Sequence, residues 1–250
     1  MIVLKSTAEL DAMDRANRVV HRALAAVQEA AAPGVTTAEL DDIAEELIRA
    51  EGGVPAFKGY RGFPATLCTS VNDEIVHGIP SRRVRLAAGD ILSVDCGVVL
   101  DGFFGDAAVS FGIGHVNGVG EQLMKITRLC LDDAVEQVAP GNRLGDIGAA
   151  VQRRAEASGF GVVREFVGHG IGRALHEEPQ VPNYGQAGRG QVMKPGLVLA
   201  IEPMITAGSW RVKVDDDGWT ARTEDGKLAA HFEFSVAVTP DGHRVLGLEE

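Results

Sequence analysis

The stretch Ile91-Leu-Ser-Val-Asp95-Cys-Gly-Val-Val-Leu-Asp101-Gly-Phe-Phe-Gly-Asp106 contains two runs of strand-forming residues, at 91–100 and 103–111. They flank Asp101-Gly102, a dipeptide typical of the two-residue turn of a β-hairpin. Folding back at this turn brings Asp95 and Asp106 from opposite strands into one neighbourhood. The stretch therefore predicts a hairpin that carries two carboxylates on otherwise apolar strands.

A carboxylate in such an apolar hairpin needs a partner. Desolvating an unpaired one costs on the order of several kcal/mol, or shifts its pKa until the group is neutral. The chain has no Lys or Arg between Asp90 and Lys125 to serve as a nearby partner. Asp95 and Asp106 are therefore candidate metal ligands, with capping or turn roles as the alternative.

Composition and charge narrow the class of protein. The chain has 250 residues, 45% of them hydrophobic, which is enough to bury a substantial core in one large domain or two small ones. It carries 24 Lys and Arg against 35 Asp and Glu, a net charge of -11. This balance disfavours nucleic acid or an anionic membrane as the main partner, so we expect no specific DNA and no membrane among its partners.

The N-terminus and the cysteines predict a cytoplasmic protein. The start of the chain is too short in apolar residues for a signal peptide, and no run reaches transmembrane length. Cys68, Cys96 and Cys130 are odd in number and lack CxxC spacing. Their pattern indicates a reducing compartment and argues against disulfides or a thiolate-bound zinc.

Four helices are predicted from capping signals and apolar spacing. Capping boxes at Ser6-Thr-Ala-Glu9 and Thr36-Thr-Ala-Glu39 open the first two. The apolar positions predict a third helix over 118–139 and a fourth over 144–158. Residues 54–80 form a loop-rich stretch. Beyond the fourth helix we expect strands at 160–167, 197–205, 210–214 and 230–238.

Two patterns recur with one offset. Pro33-Gly34 and Pro140-Gly141 lie 107 residues apart (140 − 33), and the similar segments 89–95 and 196–202 share that spacing. The recurrence predicts a single domain over 1–250, made of two halves that are related by a pseudo-twofold axis and cover about 6–112 and 118–245. A ligand site is expected at the seam between such halves.

A glycine-rich segment, 166–172, exposes His169 to a ligand. A phosphate loop is the alternative, but no Lys-Ser/Thr follows and the Rossmann spacing is absent. A hydrogen-bonded structural histidine is a further alternative for His169 alone. Just downstream, His176-Glu177-Glu178-Pro179 is similar to the zincin motif, but it lacks the second histidine, and Pro179 prevents a helix, so we reject that interpretation.

Two more carboxylates lie in apolar strands. Glu202 ends one such strand and Glu233 lies inside another, so the chain has four buried candidate carboxylates and one imidazole. Four anions in a core repel one another unless cations bind, and two divalent ions balance their charge. Carboxylate-rich ligation without thiolate suits Mn, Fe or Co and, less specifically, Zn. A two-metal centre of this kind is typical of hydrolases.

These motifs together resemble those of the type I methionine aminopeptidases, in order and in spacing, from about Leu10 to Leu248. The resemblance rests on His77-Gly-Ile-Pro80, Asp95 with Asp106, Gly168-His169-Gly-Ile-Gly172, His176-Glu-Glu-Pro179, Ile201-Glu-Pro-Met204 and Glu233. It implies the pita-bread fold, an α+β fold with a curved, mainly antiparallel sheet, two helix pairs and an internal pseudo-twofold. The chain is most similar to the compact bacterial form.

The resemblance also implies a site with two divalent metal ions, Co, Mn, Fe or Zn. The five ligands that it implies are Asp95, Asp106, His169, Glu202 and Glu233. In this arrangement Asp106 and Glu233 bridge the metals. His77 and His176 contact the substrate as outer imidazoles, and Glu202 passes a proton to the leaving amine.

The implied activity is removal of the initiator methionine from nascent proteins when residue two is small. Four residues are placed like the walls of a methionine pocket, with Phe57 and Leu175 near them. These four are Tyr60, Phe63, Cys68 and Trp219. The resemblance further implies a monomer whose partners are N-terminal methionine and, as a candidate, the ribosome surface.

The chain departs from the family pattern beside two of the implied ligands. Glu233 is followed by Phe234-Ser235 where the family commonly has His-Thr, and Phe104 stands where a histidine is frequent before Gly105-Asp106. Changes in the outer shell of a metal site alter affinity or activity by about 10–100-fold. We therefore expect these positions to change the metal affinity or the activity of the site and not its set of ligands.

Two alternatives to this function are weighed. An Xaa-Pro peptidase of the same fold shares the five-ligand pattern, but such enzymes usually carry an extra N-terminal domain. A non-catalytic pita-bread module that binds a peptide or the ribosome is expected to have lost a ligand, and this chain retains all five candidates.

Overall fold

The computed structural model describes residues 2–248. This part of the chain forms four α-helices, α1 Thr7–Ala30, α2 Thr37–Ala50, α3 Gly118–Val135 and α4 Leu144–Ala157. Its strands are β1 Val54–Pro55, β2 Leu67–Val71, β3 Glu74–Val76, β4 Ile91–Leu100, β5 Phe103–Gly112, β6 Gly161–Val162, β7 Gly168–Gly170, β8 Glu177–Val181, β9 Val198–Ile201, β10 Met204–Thr206, β11 Val212–Val214, β12 Ala221–Thr223, β13 Ala229–His231, β14 Glu233–Thr239 and β15 Gly242–Val245. Among the described residues, none of the helices combines the length and the apolar character that a membrane span requires.

Nine strands form one antiparallel sheet, in the order β1-β4-β5-β14-β9-β7-β8, with β2 also paired to β4 and β15 to β14. Two three-stranded sheets, β13-β10-β6 and β11-β12-β3, flank it. The helices pack in pairs, α1 with α2 and α3 with α4. One apolar core lies between the first pair and β4, and a second between the other pair and β9 and β14. The curved α+β architecture predicted from the sequence is confirmed.

The predicted hairpin is present as β4 and β5. Asp101 and Gly102 have φ of 52° and 77°, the left-handed values that a type I′ turn requires at both central positions. Asp95 pairs with Ala108, and Gly97 with Asp106, so the two carboxylates are diagonal neighbours across the ladder. Val94 and Cys96 face the core under α1 and α2, and strand alternation therefore turns Asp95 to the opposite face.

The offset of 107 residues recurs throughout the structure. Helix α2 begins at Thr37 and α4 at Leu144, and strand β4 begins at Ile91 and β9 at Val198 (144 − 37 and 198 − 91). The isolated bridges Thr36↔Arg85 and Arg143↔Val192 also correspond at this offset. These equivalences support the proposed halves at 6–112 and 118–245.

The C-terminal strands differ from the prediction. The expected strands at 197–205 and 230–238 are each interrupted, as β9–β10 and β13–β14. At the first interruption the chain passes from the large sheet to a small one, and at the second it returns from the small sheet to the large one. Pro203 lacks the N–H that a continuous ladder needs, and it lies opposite Phe232, whose N–H donates to the Pro203 carbonyl. The strand expected at 160–167 is reduced to β6.

Two further boundaries were wrong. Helix α3 ends at Val135 and not at 139, because the chain tightens into 3₁₀-type turns before Pro140, and a residue that precedes proline disfavours helical ψ. Residues 168–170, interpreted as a glycine-rich loop, form strand β7. The glycines there serve close packing: a Cβ on Gly168 would lie 2.4 Å from the Ala200 carbonyl oxygen.

Gly105 lies in β5, where α1 crosses the strand. A Cβ at this position would lie 2.8 Å from Asn17 N and 2.9 Å from Ala16 C, so helix α1 has to move. We expect Gly105→Ala to lower the free energy of unfolding by about 1–3 kcal/mol in urea denaturation, as overpacking does. Gly118→Ala is the control, because Gly118 has open space around its Cα and begins α3. Equal denaturation midpoints for the two variants would contradict this prediction.

Candidate metal centre

Five predicted ligands come from five neighbouring strands. β4, β5, β14, β9 and β7 follow one another in the sheet, and each supplies one side chain at the same level of the concave face. In this order the side chains are Asp95, Asp106, Glu233, Glu202 directly after its strand, and His169. Residues that are up to 138 positions apart in the chain (233 − 95) therefore converge because their strands are hydrogen-bonded neighbours.

The side chains lie at distances that a shared cation can bridge. Asp106, His169 and Glu233 each offer one ligand atom, and these atoms all lie within 4.8 Å of one another. His169 Nε2 lies 3.6 Å from Glu202 Oε1 and 3.9 Å from Asp106 Oδ2. All three residues of the first group are buried, so the group forms an acidic pocket shielded from solvent.

The donor set fits a divalent metal ion. Asp95 Oδ1, Asp106 Oδ1 and Glu233 Oε1 are buried and have no hydrogen-bond partner among the described residues. Buried polar atoms are satisfied in the great majority of native structures, and an unsatisfied anionic oxygen is the most costly exception. Three such oxygens beside one imidazole are the arrangement that a carboxylate-preferring metal completes.

His169 is held in the form that binds metals. Its Nδ1 lies 2.9 Å from the Gly170 carbonyl oxygen, which can only accept, so Nδ1 carries the proton and Nε2 presents its lone pair to the carboxylates. Burial, and secondarily His176, lowers the pKa of His169 to about 4. The imidazole is therefore neutral at pH 7, as metal ligation requires.

The pKa values of the four carboxyl groups are raised, whereas that of the histidine is lowered. Burial raises the pKa of Asp95 to about 7. Burial and the neighbouring carboxylates raise the pKa values of Asp106, Glu202 and Glu233 well above their ordinary range. Without a cation these groups hold protons more tightly than ordinary carboxyls, and a bound metal displaces such protons.

Polar side chains fix the backbone that carries the ligands. Asn17 Oδ1 accepts from the Asp106 N–H at 3.2 Å, and Ser235 Oγ donates to the Asp106 carbonyl at 2.8 Å. Asn183 Nδ2 donates to the Glu202 carbonyl at 2.9 Å, just where the strand is interrupted. The two asparagines escaped sequence reasoning, because each acts from a distant element and belongs to no short motif.

All eleven predicted site residues line one cleft, whose volume is about 160 Å³. The predicted pocket walls Tyr60, Phe63, Cys68 and Trp219 lie at one side of it, with Phe57 and Leu175 beside them. Arg61, which sequence reasoning missed, is a further lining residue. The cleft thus joins an apolar chamber to the acidic group.

Two imidazoles stand between the acidic group and the apolar chamber. His176 Nδ1 lies 2.9 Å from the Tyr60 hydroxyl, and its ring is stacked on Tyr60 and lies 4.2 Å from the His169 ring. His77 has φ of 61°, a left-handed value that is uncommon outside glycine and is enriched at functional sites. Its ring meets Phe166 edge-on at 5.2 Å.

A further buried histidine, His231, borders the acidic group. Its Nε2 lies 3.9 Å from Glu202 Oε2 and has no hydrogen-bond partner in the described part of the chain. Burial, followed by His77, lowers the pKa of His231 to about 3. His231 ends β13, and Glu233 begins the next strand, β14.

The departures from the family pattern lie outside the acidic group. Phe234 alternates away from Glu233 and packs against the core of the second helix pair, with the Arg128 guanidinium 4.8 Å from its ring centre. Phe104 donates its backbone N–H to the Gly172 carbonyl at 2.8 Å and packs near the cleft walls.

A curved antiparallel sheet with a buried carboxylate–imidazole group in its cleft defines a metal-dependent hydrolase of the pita-bread type. The sequence profile of metallopeptidase family M24 matches residues 11–240. The chain therefore belongs to metallopeptidase family M24, and within it to the methionine aminopeptidases, as relatives with high identity over its full length show.

The relatives match the chain from end to end. The methionine aminopeptidase of Clostridium acetobutylicum is 48% identical over 250 residues, which are 100% of both chains. That of Clostridium perfringens is 50% identical over 248 residues, 99% of each chain. The crystal structure of methionine aminopeptidase from Thermotoga maritima superimposes with a TM-score of 0.98 at 44% identity and covers 100% of both chains. The predicted family and fold are confirmed.

Prolidases share the fold at a greater distance. The structure of the prolidase from Pyrococcus horikoshii has a TM-score of 0.80 at 21% identity, and the match covers 65% of that chain. This likeness concerns the fold alone. The Xaa-Pro peptidase alternative is therefore not favoured.

Removal of metal makes stability depend on pH in a definite direction. Above about pH 7 the histidines have lost most of their protons in both the folded and unfolded states. Asp95, whose pKa is about 7, still keeps part of its proton in the folded state, whereas an ordinary aspartate has lost it. Since the folded state binds more protons, the free energy of unfolding of metal-stripped protein falls between about pH 7 and 8, by up to about 1.4 kcal/mol per pH unit for each retained proton. Nearer to about pH 8.5 the buried thiols of Cys68, Cys96 and Cys130 add to this fall, because burial raises their pKa values.

Urea denaturation at pH 7.0, 7.5 and 8.0 checks this expectation. Saturating Mn²⁺ raises the free energy of unfolding and flattens its pH dependence, because the metal replaces the protons. Asp106→Asn makes the slope of the metal-stripped protein shallower, and Asp101→Asn, in the exposed turn, leaves it unchanged. A free energy of unfolding that is constant or rises with pH in this range would disprove the raised pKa values of the buried carboxyls.

Proposed function

We propose that this protein is a metal-dependent aminopeptidase that removes the N-terminal methionine from peptides. The observation that carries the proposal is the cleft itself, in which four carboxylates and an imidazole adjoin a chamber lined by apolar and aromatic side chains. The names of relatives that are 48–50% identical over the whole chain support the same activity. The non-catalytic alternative is disfavoured because all five candidate ligands are present.

We further propose that the acidic group binds two divalent ions, with Mn, Fe, Co and Zn as the candidates. The residues that would hold them are Asp95, Asp106, His169, Glu202 and Glu233. When bound, such metals supply Lewis acidity that polarises a carbonyl and acidifies water. The orphaned oxygens of three of these side chains support this assignment.

Glu202 is proposed to move a proton during hydrolysis. Its Oε1 lies 3.6 Å from His169 Nε2, and its Oε2 lies 3.9 Å from His231 Nε2. With its own proton displaced by bound metal, the Glu202 carboxylate can take a proton from attacking water and deliver it to the leaving amine.

His77 and His176 are proposed to bind the scissile peptide and to stabilise the negative charge that develops on its carbonyl oxygen. The Tyr60 hydroxyl at Nδ1 leaves Nε2 of His176 free to face the cleft. Both imidazoles are neutral near pH 7, because burial lowers the pKa of each, that of His77 to about 4. They therefore act as hydrogen-bonding groups.

The apolar chamber is proposed to hold the methionine side chain. Phe63 meets Trp219 edge-to-face at 5.2 Å, and Cys68 lies on β2 directly opposite Asp95. An unbranched thioether fits such a chamber, since sulfur makes favourable contacts with aromatic rings. This register puts the bound side chain next to the acidic group.

The cellular role is proposed from the family resemblance. The substrates are nascent proteins with a small second residue, the enzyme is a cytoplasmic monomer, and the ribosome surface is a candidate partner. The acidic net charge of -11 is compatible with a peptide substrate that carries a free amino group.

Metal-stripped protein is expected to release no methionine from Met-Ala-Ser, and addition of Mn²⁺ or Co²⁺ should restore release. Asp106→Asn should lower kcat/KM by more than the roughly 10–100-fold that loss of an outer-shell partner causes, because a carboxylate that would hold metal directly is lost. Asp101→Asn is the matched control, with the same chemical change in the exposed turn. Free methionine is quantified by mass spectrometry. Full activity without metal, or in Asp106→Asn, would refute the proposal.

His176→Ala is expected to lower kcat about 10–100-fold while metal stoichiometry is kept, because the residue contacts substrate and does not hold metal. Stopped-time assays with Met-Ala-Ser and metal analysis of the same preparation check both parts. Loss of bound metal in this variant would reassign His176 to the ligand set.

A further inference from the structure

The loop 172–176, between β7 and β8, carries two cleft residues, Leu175 and His176. It is followed by Glu177, which the sequence singled out within a rejected zincin-like motif and for which the proposed mechanism has no use. The structure places this carboxylate against the N-terminal segment of the chain. The contact links a segment far from the cleft to a histidine inside it.

Lys5 and Glu177 form a nearly buried ion pair. Lys5 Nζ lies 2.6 Å from Glu177 Oε2, and the two side chains are 3% and 14% exposed. The Lys5 ammonium also donates to the Val3 carbonyl at 3.0 Å, and the Lys5 N–H donates to the Gly196 carbonyl at 2.7 Å. The lysine is therefore fixed to the start of the β9 segment as well as to Glu177.

The other oxygen of Glu177 holds the loop backbone. Oε1 accepts from the Arg173 N–H at 2.8 Å and from the Ala174 N–H at 3.3 Å. The packing is close, because a Cβ on Gly172 would lie 2.5 Å from Lys5 Cε and 2.6 Å from Glu177 Oε1. Lys5, Glu177 and the loop thus form one packed unit.

We propose that Lys5 is a positioning residue for His176. By holding Glu177, it fixes the loop so that the His176 ring stays stacked on Tyr60 and 4.2 Å from His169. Removal of the ammonium leaves a mostly buried carboxylate without its counter-charge, and the loop relaxes to hydrate it. Misplacement of a catalytic group by about 1 Å can lower turnover about a hundredfold. The inference rests on the proposed function only in that His176 contacts substrate.

A second ion pair on the same loop provides a matched control. Arg173 pairs with Glu9 at 3.3 Å, but its side chain is 65% exposed and that of Glu9 31%. Exposed pairs of this kind contribute little, because water screens them. Arg173→Met and Lys5→Met each remove one positive charge that is paired with a glutamate at or next to this loop, but only the Lys5 pair is buried.

The experiment compares Lys5→Met, Lys5→Met with Glu177→Gln, Arg173→Met and Arg244→Met in the metal-loaded protein. Arg244→Met breaks the Arg244–Asp14 pair, which involves none of the cleft-lining residues, and controls for a general loss of stability. The rate of amide hydrogen exchange in the 172–178 peptide measures how firmly the loop is held, and this measurement needs no substrate. Steady-state assays with Met-Ala-Ser give kcat and KM separately.

Lys5→Met is expected to speed exchange in 172–178 and to lower kcat about 10–100-fold with little change in KM. The double variant should recover part of the loss, since it leaves no unpaired buried charge. Arg173→Met and Arg244→Met should match the unmodified protein within about threefold in kcat.

Three results would overturn the inference: exchange and kcat of Lys5→Met equal to those of the unmodified protein, no recovery in the double variant, or an equal loss in Arg244→Met. If even the unmodified protein releases no methionine, the proposed function fails. The exchange of the 172–178 peptide then decides the role of Lys5 by itself.

Discussion

Mutual repulsion of buried carboxylates is the constraint on which the rest of the structure depends. Asp95, Asp106, Glu202 and Glu233 are held on one concave surface, and no arginine or lysine is among the residues that hydrogen-bond their side chains in the described part of the chain. Such a group persists only if its backbone is held rigidly, since each side chain would otherwise turn toward water. Helices on the other face of the sheet supply the apolar burial that holds it.

The sheet meets this constraint by using both of its faces. Along β4 and β14, alternate residues serve the helix-side cores and the cleft, so the same strands anchor the fold and present the ligands. The interruption at Pro203 and Phe232 adds curvature where Glu202 must enter the cleft, and Asn183 accommodates the carbonyl freed there. One face of the sheet therefore packs against the helices and stabilises the fold, and the other face carries the candidate ligands.

Much of this architecture could be predicted from local signals. The type I′ turn at Asp101-Gly102, both capping boxes and the repeat at 107 residues are short-range patterns with direct physical causes. The four candidate carboxylates carried adequate signals too, because carboxylates in apolar strands are rare. His77, His176 and the walls of the cleft were predicted only from the family resemblance. What escaped prediction depends on distant pairings: the interruptions of the C-terminal strands, the strand formed around His169, and the roles of Asn17, Asn183 and Lys5. A buried lysine looks no different in sequence from an exposed one until the fold shows Glu177 beside it.

The order of the five ligands along the chain has a consequence for biosynthesis. Asp95 and Asp106 are made early, but the central strand that carries Glu233 is inserted between β5 and β9 only after nearly the whole polypeptide has been made. The first half supplies only two of the five candidate ligands, and the full group of five exists only when β14 is in place. If these side chains hold metal as proposed, the complete ligand set is a late product of folding. A chain that ends before Glu233 lacks one of its members.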